Sequence, residues 1–264
     1  MYRFAVHPLH NPKRLFAGYK PLIDYLNRET DAFQIKLVAS RDYASFEQRL
    51  FAGDFEFALP NPLQTMKSLK YGYRVIGKMG DDRDFRGIII TRRDAGFLFV
   101  EDLEGKALSF PAPTALAATI MPMVYLKDRG LDLSTTPLHY VGSQESAIMN
   151  VYFGKTIAAG TWPLPWEQLI RERPEIAGVL KVQWETDPLV HNGLVARENV
   201  PEEHVRHIMA LLLALPATEE GRAILAGIHI PYFEACSEEA YAPAYAFMER
   251  FAELFPAQAQ GVWP

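Results

Sequence analysis

Apolar residues follow two alternating rhythms along this chain. Short runs such as YRFAV (2–6), IKLVA (35–39), FEFAL (55–59) and YRVIGKM (73–79) are continuous or alternating, as strands are. Each is followed by a stretch whose apolar positions recur every three or four residues, as helix faces do. After the first run, Leu15, Tyr19, Leu22 and Leu26 share one face, with Asn11 as N-cap and Pro12 at the first helical position. Pro21 is expected to kink or divide that helix. Helices are also expected from about Ser45 to the Gly53 stop and from Pro62 to about Tyr71, the latter opened by Asn61-Pro62.

The middle of the chain repeats the unit. Strand Gly87–Thr91 precedes strand Ala107–Phe110 and helix Thr114–Asp128, which Gly130 ends. Strand Leu138–Val141 leads to helix Ser143–Phe153, and strand Thr156–Gly160 to a helix starting near Leu164. VLKVQWE (179–185) and LVHNGLVAR (189–197) read as two more strands. The last quarter is helical, over Pro201–Leu215, Thr218–Ala226 and Glu238–Leu254. Alternating β and α units of this kind predict an α/β protein with largely parallel sheets. There is no single linker-like break, but two strand-like crossings, at Gly87–Thr91 and Leu189–Ala196. Such crossings would join two lobes with a hinge and a cleft between them.

Composition narrows the function classes. At 264 residues, 49% hydrophobic and 22% charged, the chain has the balance of a folded protein and room for two cores. A net charge of −5 and the lack of a long basic run argue against a nucleic-acid partner. One cysteine, Cys236, excludes an intrachain disulfide and any multi-cysteine zinc site. The longest apolar run, Met209–Pro216, falls far short of the roughly 20 residues that span a bilayer. No signal peptide is expected, since the first apolar run already reads as a strand; Met1 is either native or added to a mature domain.

Motif chemistry is sparse. Neither GxGxxG nor GxxxxGK[ST] occurs. GSQESA (142–147) lacks the spacing of a nucleophile elbow and reads as a turn capped by Ser143. Of seven histidines, His204 and His207 share a helix face at metal-binding spacing, but no third ligand is marked. No metal or cofactor is therefore expected. His7 and His10 lie in the loop after the first strand, where ligands gather in open α/β sheets, or in a plain polar loop.

One stretch stands out. SFPAPTALAATIMP (109–122) is a strand-to-helix turn, a place where free backbone N–H groups gather and anions bind. Here it is furnished with alanine and leucine instead of Ser, Thr or Gly.

The order of such segments carries a resemblance. DYASFEQRLFAGDFEFALPNP (42–62), FRGIIITRRDAG (85–96), DLEGKALSF (102–110) and YVGSQESAIMNVYFGKTIAAGT (140–161) resemble, in order, segments of the periplasmic phosphonate/phosphite-binding proteins of ABC transporters. DPLVHNGLVARENVPEE (187–203) resembles the return crossing, and GIHIPYFEACSEEAY (227–241) the closing segment. The resemblance implies a two-lobed periplasmic-binding-protein fold of type II, with residues 1–86 and 194–264 in one lobe, 87–193 in the other, and the ligand cleft between them. It also implies a periplasmic or otherwise extracytoplasmic location.

Carried across residue by residue, the family's anion site becomes apolar. Its first Tyr is kept as Tyr43, while its second becomes Phe85. The hydroxyl residues of the helix start become Ala115, Leu116, Ala117 and Ala118; the His becomes Gln144 and an Asp becomes Ile157. The acidic residue of the second strand shifts to Glu56. With Trp162 as a further wall, the polar handles left are His10, Asn61, Arg86, Thr114, Gln144 and Thr161. Strand alternation lets only one of Phe85 and Arg86 point inward, and Phe85 and Trp162 read equally as core. The ligand so implied is a small organic molecule, with one carboxylate or sulfonate directed at Arg86 or at the helix end, and not a tightly held phosphonate. The protein is then a solute-binding protein serving a membrane permease. A sensor domain of the same fold, with a signalling partner, is the alternative, and an enzyme on this fold a third that lacks a nominated nucleophile.

Overall fold

The structure is a computed structural model that describes residues 1–8 and 12–263. His10 and the cap expected at Asn11 lie outside the described residues. In chain order the strands are β1 (Tyr2–Val6), β2 (Ile35–Val38), β3 (Phe57–Leu59), β4 (Tyr73–Met79), β5 (Ile88–Arg92), β6 (Leu108–Phe110), β7 (Leu138–Tyr140), β8 (Ala158–Thr161), β9 (Leu180–Glu185), β10 (Gly193–Arg197) and β11 (Phe233–Glu234). The helices are α1 (Pro12–Arg28), α2 (Tyr43–Phe51), α3 (Pro62–Ser68), α4 (Met121–Asp128), α5 (Gln144–Tyr152), α6 (Pro163–Glu172), α7 (Pro174–Val179), α8 (Glu202–Ala214), α9 (Glu219–Gly227), α10 (Ala242–Leu254) and α11 (Pro256–Ala259). Among the described residues no helix is long and apolar enough to cross a membrane.

Two departures from the sequence pattern have local causes. Pro21 neither divides nor ends α1. It sits on the exposed side, where water can satisfy the Ala17 carbonyl that proline leaves without a donor. The expected helix at Thr114–Asp128 instead opens with a π turn, Leu116–Ile120, that runs straight into α4.

The chain forms two compact units, Met1–Asp82 with Val190–Tyr245 and Arg83–Leu189 with Ala246–Pro264. These bounds differ from 1–86 with 194–264 and 87–193. Residues at both crossings are tied within the second unit: Leu189 N–H donates to Phe85 O at 2.9 Å, and Gly87 N–H to Thr186 Oγ1 at 2.9 Å. The end of α10 is tied there too, where Arg250 donates to Asp128 of α4 at 2.5 Å.

The first unit carries a six-stranded sheet, ordered β11-β4-β10-β3-β1-β2 among the described residues. β1 runs parallel to β2 and β3, while β10 is antiparallel to both β3 and β4. Alternation assigns its faces. Phe4, Val6, Phe57 and Leu59 pack with Leu15, Leu22 and Leu26 of α1 and with Ile208 and Leu212 of α8. The small Ala5 and Ala58 face the other way, leaving room for Phe46, Leu50 and Phe55.

The second unit carries a five-stranded sheet, β7-β6-β8-β5-β9. β6, β7 and β8 are parallel, and β5 is antiparallel to both of its neighbours. Ile88, Ile90 and Ala159 pack with Ala147, Ile148 and Val151 of α5 and with Trp166 and Leu169 of α6. The sheets are thus mixed, not largely parallel, because each crossing strand enters its sheet reversed.

Candidate functional site

In the second unit, strand directions gather most of the nominated residues. β6, β7 and β8 end at one edge of the sheet, and the reversed β5 begins there. That edge carries the loop from Pro111 to Ala115, Ser143 and Gln144 at the start of α5, Thr161 and Trp162 after β8, and Phe85 to Gly87 before β5. Ile157 does not join them. It precedes β8 at the opposite end from Thr161, so it forms no wall with Trp162.

The turn before α4 is shaped by what its residues lack. Ala115 (φ −78°, ψ 90°) starts the π turn without a side-chain cap. Its carbonyl accepts the first bonds of the turn, from Thr119 N–H at 2.7 Å and Ile120 N–H at 3.4 Å. The N–H groups of Leu116, Ala117 and Ala118 precede those bonds and have no partner among the described residues. All three residues are buried. Thr119 Oγ1 donates to Ala112 O at 2.8 Å, bracing the loop from inside.

Pro122 explains the wide turn. It has no N–H, so the carbonyls of Ala117 and Ala118 get no donor from it at either α or π spacing. Both carbonyls press onto glycines instead. A Cβ on Gly160 would lie 2.1 Å from Ala118 O, and one on Gly87 would lie 2.6 Å from Ala117 O. Only a glycine hydrogen fits there, as a weak C–H···O contact. The turn therefore lies directly on the sheet's backbone, at β8 and at the start of β5.

The other nominated residues of this edge find partners near it. Phe85 is 2% exposed, with its ring 5.8 Å from that of Trp162. Arg86 points the other way, pairing with Glu185 at 2.8 Å and donating to Arg83 O at 2.9 Å. Alternation thus turns Phe85 inward and leaves Arg86 matched by a carboxylate. Gln144 and Thr161, both buried, are joined by a hydrogen bond from Thr161 Oγ1 to Gln144 Oε1 at 2.8 Å. Thr114 is half-buried beside the turn.

In the first unit the corresponding strand ends carry His7, Tyr43 and Asn61. Tyr43, the first residue of α2, is 5% exposed. Its cap Asp42 accepts from Ser45 N–H at 2.8 Å; hydrogen bonds from Ser45, with Arg41 beside it, hold that carboxyl at about 2. Asn61 forms a capping box with Gln64: Asn61 Oδ1 accepts from Gln64 N–H at 2.9 Å, and Gln64 Oε1 from Asn61 N–H at 3.1 Å. Glu56 is instead paired with Arg3 at 3.1 Å.

A polar group at this edge was not singled out by sequence. His191 Nδ1 accepts from Asn192 N–H at 2.7 Å, and Asp82 Oδ1 accepts from His191 N–H at 2.9 Å and from Lys78 Nζ at 2.8 Å. Lys78 also pairs with Glu234 at 3.1 Å, and Tyr241 donates to His191 O at 3.0 Å. A lysine inside the apolar run YRVIGKM was the available signal. Burial lowers His191 to about 3 and His7 to about 4, so both rings are neutral at pH 7.

The HxxH pair does not form a metal site. His204 Nδ1 bonds Tyr2 Oη at 2.6 Å, whereas His207 Nε2 reaches Glu29 O at 3.3 Å. No group of three or more His, Cys, Asp or Glu among the described residues is placed to hold a metal. Ser143 acts as a cap, accepting from Ser146 N–H at 3.1 Å.

A family model described as "ABC transporter, phosphonate, periplasmic substrate-binding protein" matches residues 4–241. The chain belongs to that family. Its members are periplasmic substrate-binding proteins of ABC transporters, and the alternative of a signalling partner finds no support among the comparisons. No curated protein matches the sequence. Among solved structures, phosphonate-binding PhnD1 from Prochlorococcus marinus, in complex with methylphosphonate, superposes with a TM-score of 0.87 at 15% identity, covering 96% of this chain and 98% of that one. A binding protein of an ABC phosphonate transporter from Pseudomonas aeruginosa gives 0.82 at 17% identity over 99% and 95%. The alkanesulfonate-binding protein SsuA from Xanthomonas axonopodis pv. citri, bound to MOPS, gives 0.69 at 16% identity over 100% and 94%. At these identities the likeness establishes the two-lobed fold of this phosphonate-binding family member.

Proposed function

We propose that this protein works outside the cytoplasm as the solute-capturing component of an ABC importer, and that its solute is a small organic anion with a single negative charge. The acid group would rest on the N–H groups of Leu116, Ala117 and Ala118, and the body of the solute against Phe85 and Trp162. Thr114, Gln144 and Thr161 of the same sheet edge would complete that part of the site, and Tyr43 and Asn61 are the further side chains we nominate to touch the solute.

The observation that carries this reading is the set of three buried, unpartnered amides at an uncapped helical start. Helix alignment gives such a start about half a positive charge. The cation of the same sheet edge adds little, since Arg86 is matched by Glu185. That suits a sulfonate or carboxylate better than a dianion. The hydroxyls of a phosphonate site are replaced by alanines and leucine, and each lost contact to a buried oxyanion weakens binding by about 1.5–3 kcal/mol.

Thermal-shift titration tests it, because a ligand that binds only the folded state raises the midpoint. Short alkyl sulfonates or carboxylates are expected to raise it, while methylphosphonate and phosphate leave it unchanged at micromolar concentration. A shift with micromolar methylphosphonate would overturn the monoanion reading. Tyr43→Ala is expected to shrink any shift found; an unchanged shift removes Tyr43 from the site.

A further inference from the structure

The second unit holds a pocket of about 190 Å³ that none of the turn residues 116–120 lines. Every residue around it belongs to that unit. Met121, Val124, Tyr125 and Asp128 recur at helical spacing and give it one stripe of α4. Leu189, on the segment 185–189, and Phe247 of α10 complete its apolar part.

Five charged residues line the same pocket, and partners cancel three of them. Asp128 pairs with Arg250 at 2.5 Å, and Glu185 with Arg86 at 2.8 Å. Arg129 and Asp187 are left over. The Asp187 carboxylate is exposed and has no hydrogen-bond or ion-pair partner among the described residues. The Arg129 guanidinium lies flat on Tyr125, 3.4 Å from the ring centroid, and its one hydrogen bond, to Tyr125 O, is long at 3.4 Å. A guanidinium carries five N–H donors, so most of those on Arg129 meet no acceptor of the protein. Stacking on Tyr125 fixes its plane beforehand, which lowers the ordering cost for a carboxylate that meets it. A cation at the C-terminal end of α4 also offsets the helix dipole, but that role needs neither the stack nor an unmatched carboxylate on the same pocket.

The lining thus amounts to one cation, one anion and an apolar patch. A ligand with a single charge would leave one of the two groups unmatched, and a neutral ligand would leave both. Cavities of about 150 Å³ take benzene-sized molecules, so this one admits a side chain such as that of leucine. We propose that the pocket is a second ligand site and takes a small zwitterion with an apolar body, the class of the aliphatic α-amino acids. Its carboxylate meets Arg129, its ammonium meets Asp187, and its side chain rests on Val124, Leu189 and Phe247. None of the groups assigned to the anion site is used, so the two readings stand or fall separately.

Isothermal titration calorimetry with a matched series tests it: L-leucine, 4-methylpentanoate, which lacks the ammonium, and 3-methylbutylamine, which lacks the carboxylate. Ethanesulfonate is kept in excess throughout, so that a carboxylate bound at the turn before α4 is not counted. Leucine is expected to bind about tenfold tighter than either analogue. Arg129→Gln and Asp187→Asn, both at exposed positions, are each expected to weaken leucine about tenfold. Arg129→Gln should leave 3-methylbutylamine unchanged, and Asp187→Asn should leave 4-methylpentanoate unchanged. No heat with leucine, equal affinity for all three probes, or a leucine affinity that survives either substitution overturns the proposal. A readout on the unmodified protein locates the site. The methyl resonances of Val124 and Leu189 should move when leucine is added and stay in place with ethanesulfonate; leucine that binds and moves neither refutes the assignment.

Discussion

Gly160→Ala is the most direct test of how the turn at Leu116–Ile120 is held. Gly160 is not in the left-handed region, so its own backbone accepts alanine. The obstacle is external. The added methyl would lie 2.1 Å from Ala118 O and 2.6 Å from the Phe110 ring. Ordinary C···O contacts begin near 3.3 Å, so the turn and β8 must part by about 1 Å. Ala118 O is backbone, and no rotamer change relieves it. Overpacking of this kind is worth about 1–3 kcal/mol, partly offset by the roughly 0.4–1 kcal/mol that Gly→Ala gains from a less flexible unfolded chain. A net loss of about 1–2 kcal/mol lowers the melting midpoint by about 2–8 °C in a chain of this size. Thermal unfolding followed by circular dichroism measures it. Gly178→Ala is the control, since Gly178 lies in α7 with nothing within 4 Å of its Cβ position, and there the midpoint should hold or rise. If Gly160→Ala melts within 1 °C of the parent, Ala118 O does not rest on β8 and the account of the turn is wrong.

Stability should also depend on pH through the buried imidazoles. His7 and His191 titrate near 4 and 3 when folded and near 6.5 when unfolded, so the unfolded chain binds more protons and stability falls as the pH is lowered. The His7 contribution is complete above about pH 6.5 and is lost by about pH 4, on the order of 3 kcal/mol; urea midpoints at pH 7 and pH 5 should differ accordingly, and a flat profile rejects the burial of both rings. Asn61→Ala removes one arm of the α3 capping box and should lower stability by about 1 kcal/mol in urea unfolding, whereas Asn61→Asp should retain most of it. Arg86→Met breaks a partly exposed pair with Glu185 and should change stability by less than about 1 kcal/mol while leaving anion affinity unmoved; a tenfold loss of affinity in calorimetry would return Arg86 to the site.

Much of the fold is written in local pattern. The Asn61-Pro62 start, the Ser143 cap and the face of Leu15, Tyr19, Leu22 and Leu26 depend on residues within a few positions of each other, and all appear in the structure. What the pattern could not carry depends on distant partners. Pro21 reads as a break until its exposed side is known. Pro122 sits at an unremarkable first helical turn, and its effect emerges only because Gly87 and Gly160 lie beneath the carbonyls it leaves unserved. The choice between Phe85 and Arg86 needed Trp162 and Glu185, which are remote in sequence from both. The group around His191 joins residues from four segments, none of them a motif alone.

The alanines of the turn can now be weighed as packing and as chemistry separately. Packing demands small residues where the turn meets the sheet, and it demands glycine at 87 and 160 because backbone oxygens arrive there. It does not demand the loss of hydroxyls, since serine adds only one oxygen to alanine and could turn it toward the same amides. What remains at Leu116, Ala117 and Ala118 is backbone alone, whose donors cannot be tuned by substituting the residues that own them. Their aim is set from beneath, by two glycines and a proline that touch no solute. In such a site, affinity for an anion changes through the floor of the turn before it changes through its lining. Under the proposed reading, discrimination between solutes of equal charge then falls to the side chains beside the turn, with Phe85 and Gln144 foremost among them.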